Sequence, residues 1–238
     1  MNPLDRTLIP LYNRFAHHSR YVDDLLGNFA NNDLVKGGVV LAVFWGLWFA
    51  SPRSHDRSEA RATLLATLVA AVVAVGGARA LTLVLPFRAR PLFVGDPFTR
   101  QPYDVQVYLS ALPRWSSFPS DHAALFFALA TGCFLVSRRV GGALLAYVSV
   151  FIIGPRLYLG IHYPTDILAG GAIGAACAVG AIAAQRGISP LRRLAAYAIA
   201  LGERYPLVSY ATLFVACFEA ASLFNHVRSL VKVLVGRR

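Results

Sequence analysis

Residues 115–122, Trp-Ser-Ser-Phe-Pro-Ser-Asp-His, lead directly into an apolar run over residues 123–136. This change from polar to apolar residues predicts the beginning of a helix, with Ser120 as a favourable N-cap. The first turn of a helix has unpaired N–H groups at the positive end of the helix dipole, and this end binds anions, phosphate above all. The sequence therefore predicts that Ser120 and His122 lie at an anion site where an apolar helix begins.

The composition indicates an integral membrane protein. Of the 238 residues, 56% are hydrophobic and 15% are charged, and the mean hydropathy is +0.53, whereas a soluble domain has about 25% charged residues. The net charge of +11 would suit a nucleic-acid partner. However, most basic residues lie in short loops between apolar runs, as the positive-inside rule predicts for membrane proteins. No nucleic-acid partner is therefore expected.

The apolar runs predict an all-α, polytopic membrane bundle of about six spans. They cover residues 35–50, 62–85, 120–137, 141–159, 164–184 and 206–224. Residues 1–34 mix apolar and charged positions and predict one or two amphipathic helices at the membrane interface, so that residues 35–238 form a single transmembrane domain. Gly170 and Gly174 form a small-xxx-small face that favours close helix packing.

The distribution of basic residues predicts the orientation. The loops 87–119 and 160–164 lie on one side of the membrane, and nine arginines lie opposite: Arg53, Arg57, Arg61, Arg138, Arg139, Arg186, Arg192, Arg193 and Arg204. The positive-inside rule makes that opposite side cytoplasmic, so the loops face the periplasm or exterior of the inner (plasma) membrane. Seven basic residues near the termini oppose this orientation: Arg6, Arg14, Arg20, Lys36, Lys232, Arg237 and Arg238.

The predicted topology brings polar residues from three stretches to one membrane face. They are Arg88, Arg90, Ser120, His122, Arg156, His162 and Asp166. Each has an ordinary explanation alone, such as helix capping or headgroup binding, but together they suit phosphate ester hydrolysis. Arginine forks match phosphate oxygens, a histidine held by a carboxylate can attack phosphorus, and a second histidine can protonate the leaving oxygen. Arginines and backbone N–H groups can stabilise the charge, so neither a metal nor a cofactor is expected.

The motifs and their spacing resemble those of the type-2 phosphatidic acid phosphatases, a family in the superfamily of the vanadium haloperoxidases. The family pattern is Lys-x6-Arg-Pro, then Pro-Ser-Gly-His, then Ser-Arg-x5-His-x3-Asp. The chain has Arg90-Pro91, then Pro-Ser-Asp-His at 119–122, then Pro-Arg at 155–156 with His162 and Asp166 at the family's spacing. The motif core covers residues 79–185.

The resemblance implies a role for each of these residues. His162 would be the nucleophile that becomes phosphorylated, and Asp166 would orient it. His122 would be the general acid for the leaving group. The phosphoryl group would be held by Arg90, Arg156, Ser120 and the backbone N–H of Asp121.

The chain departs from the family pattern at three positions. Asp121 replaces a glycine and Pro155 replaces a serine, and Leu83 occupies the position of the lysine. Arg79 and Arg88 are two candidates for the missing charge. Because helix side chains lean toward the N-terminus, Arg79 is expected to point away from the membrane surface. Arg88 is therefore expected to be the additional phosphate-binding residue.

The sequence favours a membrane phosphatase that acts on a lipid phosphate or diphosphate at the outer leaflet. The resemblance implies polyprenyl diphosphate (such as undecaprenyl diphosphate), phosphatidic acid, phosphatidylglycerol phosphate or a lipid A phosphate as substrates, and the sequence does not choose among them. A lipid-phosphate binder or carrier with weakened hydrolysis is the alternative, because Leu83 supplies no charge. Haloperoxidase activity fits poorly, because those enzymes are soluble.

Overall fold

The computed structural model describes residues 2–50 apart from 15 and 17, and residues 54–94 and 115–223. Within these ranges the regular secondary structure consists only of helices, which short loops connect. The helices are α1 (Pro3–Asn13), α2 (Arg20–Asn31), α3 (Val39–Ala50), α4 (Ser54–Val84), α5 (Pro91–Val94), α6 (Asp121–Val136), α7 (Arg138–Tyr147), α8 (Gly154–Tyr158), α9 (Pro164–Gly187), α10 (Ser189–Arg204) and α11 (Pro206–Ala221). π-Helical stretches at Leu34–Gly38 and Val148–Ile153 precede α3 and join α7 to α8.

The described helices confirm an all-α membrane bundle and show how its predicted spans differ in length. Three stretches are long and apolar enough to cross a membrane: Arg57–Val84, Arg138–Tyr158 and Pro164–Gly187. A fourth span is possible if α2 and Leu34–Ala50, which meet at a 60° bend, are counted together. α6 and α11 are apolar but have 16 residues each. Sixteen residues of helix extend about 24 Å, which is less than the hydrocarbon thickness of about 30 Å.

Close packing between α6 and α9 brings the ends of these two helices together. A Cβ atom on Gly170 would lie 2.2 Å from the carbonyl oxygen of Ser120, and one on Gly174 would lie 2.2 Å from that of Ala124. The two glycines therefore let the helix backbones touch, which confirms the packing face predicted from their spacing. The backbone N–H of Ser120 also donates to the carbonyl of Asp166 at 3.1 Å. The first turns of α6 and α9 are thus fixed side by side.

The N-terminal segment forms two helices that pack on this same end of the bundle. Asp5 of α1 is fully buried, and so is Asp23 of α2, whose carboxylate accepts a hydrogen bond from the hydroxyl of Tyr158. The apolar side chains of Leu11 and Tyr21 are exposed instead. The interfacial location of the segment and the domain boundary at residue 34 stay predictions. The contacts show that two of the segment's carboxylates, those of Asp5 and Asp23, turn toward the bundle.

Candidate active site

His162 lies in the short loop between α8 and α9, and its side chain is buried. Its Nδ1 is 2.9 Å from the carbonyl oxygen of Ser117. Because a carbonyl oxygen only accepts, Nδ1 carries the hydrogen and Nε2 carries the lone pair of the neutral ring. Nε2 is 3.3 Å from Nη1 of Arg90 and 3.4 Å from Oγ of Ser120. The nitrogen predicted to be the nucleophile therefore faces two of the predicted phosphate-binding groups.

Asp166 lies in the first turn of α9 and is completely buried. One carboxylate oxygen accepts the backbone N–H of Tyr163 at 2.8 Å and lies 3.5 Å from Nδ1 of His162. That separation exceeds the usual N–H···O range, so the imidazole hydrogen bonds to Ser117 while Asp166 places negative charge beside it. Sequence reasoning missed Ser117, because a backbone carbonyl carries no residue-specific signal.

The surroundings of His162 keep its imidazole neutral at neutral pH. Burial lowers the pKa of His162 below its ordinary value of 6.5. The Asp166 carboxylate opposes this effect, and the guanidinium of Arg90 adds to it. A neutral imidazole retains the Nε2 lone pair that a nucleophile requires.

Arg90 and Arg156 are buried guanidinium groups whose hydrogen-bond acceptors are mainly neutral carbonyls. Arg90 Nη1 donates to the carbonyl of Ile161 at 2.8 Å, and burial lowers the pKa of Arg90. Arg156 donates to the carbonyls of Ile152 at 2.6 Å and Ala30 at 3.3 Å. Buried charges with such partial compensation favour an anionic ligand.

Two buried donors beside His162 lack a hydrogen-bond partner among the described residues. They are Nε of Arg90 and Oγ of Ser117, and both residues contact the His162 ring. Buried polar groups are nearly always paired in native proteins. These two donors therefore indicate where a ligand's oxygens would bind, and they add the Ser117 hydroxyl to the groups identified from the sequence.

The beginning of α6 supplies the remaining predicted residues. Ser120 caps the helix by accepting the backbone N–H of Ala123 at 3.3 Å. Asp121, at the first helical position, has its Oδ1 2.9 Å from Nδ1 of His122. The His122 side chain remains 25% exposed. This pairing fixes the ring of His122 and leaves its Nε2 available for proton transfer.

The two candidate replacements for the missing lysine have different partners. Arg79 Nη2 is 3.3 Å from Oδ2 of Asp121, so the expectation that Arg79 points away from the site is wrong. Its long side chain lets the guanidinium reach the carboxylate despite the lean of the Cα–Cβ bond. Leu83 is 85% exposed and faces away from the core.

Arg88 is already engaged by two carboxylates. Its guanidinium is 2.6 Å from Oδ1 of Asp166 and 2.5 Å from Oδ2 of Asp5. It also donates to Oγ1 of Thr165 at 2.9 Å and stacks on the ring of Tyr163, 3.9 Å from the centroid. Phosphate binding by Arg88 stays a prediction, and these contacts favour Arg79 over it.

The predicted residues thus converge from four parts of the chain. The loops after α4 and α8 supply Arg90 and His162, and the beginnings of α6 and α9 supply Ser120 and Asp166. The family model of the PAP2 superfamily matches residues 63–189, which is just over half of the chain and includes all four. The chain belongs to the PAP2 superfamily.

Two curated relatives are similar to short stretches of the chain. The chain is 43% identical over 54 residues to the putative undecaprenyl-diphosphatase YbjG of Escherichia coli (strain K12), covering 23% of the chain and 27% of the relative. It is 42% identical over 60 residues to the bacitracin transport permease protein BcrC of Bacillus licheniformis, covering 25% and 29%. The chain therefore matches less than a third of the length of each relative.

A solved structure is also similar to this PAP2 chain. The crystal structure of Aquifex aeolicus LpxE aligns with a TM-score of 0.49 and 21% sequence identity. The alignment covers 76% of this chain and 96% of that one.

Proposed function

We propose that this PAP2 protein is an integral membrane phosphatase that hydrolyses a lipid phosphate or diphosphate through a phosphohistidine intermediate. One observation carries the proposal: Nε2 of His162 lies 3.3 Å from Arg90 and 3.4 Å from Ser120. A nucleophile whose lone pair faces a buried guanidinium and a hydroxyl at a helix N-terminus is well placed to attack a bound phosphoryl group.

The proposed reaction has two displacements. In the first, Nε2 of His162 forms a bond to the terminal phosphorus while the bond from that phosphorus to the leaving oxygen breaks, and His122 gives that oxygen a proton. The leaving oxygen is that of the lipid alcohol in a monoester and the bridging oxygen in a diphosphate, whose leaving group is the lipid monophosphate. In the second, His122 takes a proton from water, whose oxygen attacks phosphorus and displaces His162. Inorganic phosphate is released when the substrate is a monoester or diphosphate. The negative charge of Asp166 stabilises the positively charged phosphoimidazole between the two steps.

The positive charges of the site stabilise the transition state. Arg90, Arg156, the Ser120 hydroxyl and the backbone N–H of Asp121 would bind the equatorial oxygens of the phosphoryl group, as arginine forks and helix N-termini do. Arg79, held beside Asp121 at 3.3 Å, would supply the charge that the family's lysine provides. This donor set lets the reaction run without a metal.

We propose undecaprenyl diphosphate as the first substrate to test, at the outer face of the plasma membrane. The name of the Escherichia coli relative includes this diphosphatase activity, and the charge distribution favours an outward-facing site. Phosphatidic acid, phosphatidylglycerol phosphate and lipid A phosphates remain in the same substrate class.

Phosphate release from a panel of these lipids in detergent tests the proposal. We expect release from at least one of them by the wild-type protein, and we expect it to continue with excess chelator. Release that stops with chelator and resumes with added magnesium would contradict the metal-independent mechanism. Tight binding of the lipids without phosphate release would instead favour the alternative that Leu83 suggests, a lipid-phosphate binder or carrier with weakened hydrolysis.

The pH profile should show an acid limb below the ordinary histidine pKa of 6.5, because the pKa of His162 is lowered and the neutral ring is the active form. Activity should rise with pH through the lowered pKa. Since Asp166 raises the pKa of His162, Asp166→Asn should move the acid limb to still lower pH while reducing the rate. The measurement is kcat/KM against pH, and a limb that moves upward would contradict this assignment.

Arg79 and Arg88 should have separable effects. Arg79→Met should raise the inhibition constant of vanadate, because a charge near the phosphoryl group is lost, by about 10- to 100-fold. Arg88→Met should leave that constant within about threefold, because Arg88 contacts Asp166 rather than the anion site. It should lower kcat instead, because Asp166 loses the hydrogen bond from Arg88 that orients its carboxylate. Measuring both constants for both variants tests the distinction. The reverse pattern would restore Arg88 as the phosphate ligand.

A further inference from the structure

Asp5 is a buried carboxylate that belongs to neither the family motifs nor the predicted site. It lies in α1 and is 0% exposed. Its Oδ1 accepts the backbone N–H of Thr165 at 3.0 Å, and its Oδ2 accepts the Thr165 hydroxyl at 2.8 Å. The same Oδ2 is 2.5 Å from Nη2 of Arg88. A carboxylate loses much hydration energy on burial, and these donors compensate it.

The contacts of Asp5 continue to the nucleophile through two further side chains. Arg88 bridges Asp5 and Asp166, with one guanidinium nitrogen on each carboxylate. Asp166 lies 3.5 Å from Nδ1 of His162. The order Asp5, Arg88, Asp166 thus leads through a negative, a positive and a negative group to the imidazole of His162, which becomes positive when it is phosphorylated.

We propose that Asp5 is a positioning residue that sets the charge and orientation of Asp166 by sharing Arg88 with it. The inference rests on the proposed phosphatase function. With Asp5 present, the single positive charge of Arg88 is divided between two carboxylates, so Asp166 keeps negative charge toward His162. With Asp5 neutral, Arg88 pairs with Asp166 alone, and Asp166 stabilises the positively charged phosphoimidazole less well.

Thr165 fixes the geometry of this arrangement. Its hydroxyl contacts both Arg88 and Asp5. Its backbone N–H lies in the first turn of α9, where N–H groups have no acceptor within the helix, and it donates to Asp5. Asp5 therefore bonds α1 to the same helical turn that carries Asp166. A simple anchor for α1 could use apolar contacts, whereas a buried carboxylate on this arginine changes the electrostatics of the site.

The test compares Asp5→Asn with Asp24→Asn, a control at an exposed carboxylate of α2 that is 4.0 Å from Arg20. Asp5→Asn keeps the side-chain shape and removes the charge. We expect kcat to fall by about 10- to 100-fold at matched folded protein, the effect of displacing a catalytic group slightly. KM should change less than about twofold, because the phosphate-binding residues are untouched. The control should match wild type.

A double-mutant cycle tests the route through Arg88. If Asp5 acts through that arginine, adding Asp5→Asn to Arg88→Met should cause little further loss, because coupled residues are not additive. If Asp5→Asn does not fold, Thr165→Val removes only the bridging hydroxyl and should give a smaller loss of kcat in the same direction. Independent losses in the cycle, or Asp5→Asn and Thr165→Val proteins with wild-type kcat, would overturn the inference.

The outcome also separates this inference from the proposed function. A wild-type protein that releases phosphate from none of the lipids would refute the proposed function. Wild-type turnover together with unchanged Asp5→Asn turnover would refute the positioning role alone.

Discussion

Replacing His162 by alanine is expected to abolish turnover while the bundle still inserts and folds. Nε2 of His162 is the only imidazole nitrogen among the described residues that contacts both a guanidinium and the α6 N-cap. Loss of a covalent nucleophile commonly lowers kcat by roughly 10⁴-fold or more. Phosphate release at matched folded protein measures the loss, and trapping with radiolabelled substrate should label the wild-type protein but not the variant.

His18→Ala is the matched control for this prediction. His18 is exposed, and its ring lies 3.4 Å from the backbone carbonyl of Ala16, outside the proposed site. The control should retain wild-type turnover and labelling. A His162→Ala protein that still forms the acid-labile phosphoprotein would show that another residue is the nucleophile.

Replacing Arg90 by alanine is expected to give the second largest loss. Its Nη1 lies 3.3 Å from Nε2 of His162, and its buried Nε has no partner among the described residues. Removing a charged donor whose hydrogen bond to the phosphoryl group strengthens in the transition state costs about 2–4 kcal/mol, or roughly 30- to 1000-fold in rate. Measured kcat/KM should fall by that factor, with the larger part in kcat.

Arg90→Lys separates charge from geometry. Lysine keeps the positive charge but not the planar fork, so we expect activity between those of wild type and Arg90→Ala. Arg192→Ala, at an exposed arginine of α10, is the control and should match wild type. Equal activity of Arg90→Ala and wild type would remove Arg90 from the phosphoryl site.

The sequence predicted the membrane bundle because apolar runs and punctuating prolines are local signals. Each predicted span coincides, apart from residues at its ends, with helical segments of the described chain, and α9 begins at Pro164 as predicted. The small-residue spacing of Gly170 and Gly174 likewise predicted a contact that the structure contains. The sequence did not distinguish the three helices that are long enough to cross a membrane from the shorter α6 and α11. Hydropathy reports the composition of an apolar run better than the length of the helix that it forms.

The contacts within the site were less predictable, because they depend on groups far apart in the chain. The carbonyl of Ser117 holds the imidazole of His162, and a carbonyl belongs to every residue. Arg79 contacts Asp121 because its side chain is long enough for the guanidinium to reach this carboxylate, although the Cα–Cβ bond leans toward the N-terminus of the helix. Arg88 was predicted on the phosphate, but its carboxylate partner Asp5 lies 83 residues away. No local pattern could have shown that competition.

The contact between Asp5 and Thr165 has a consequence for how the protein is made. The two residues are separated by 160 positions, so α1 has left the ribosome long before its partner in α9 is synthesised. The carbonyl of Ala30 in α2 is likewise synthesised well before Arg156, whose guanidinium donates a hydrogen bond to it. During membrane insertion α1 and α2 therefore remain without these native partners, and the electrostatic surroundings of His162 are completed only when α9 has entered the bilayer. A nascent chain would acquire activity late, after most of its spans have assembled.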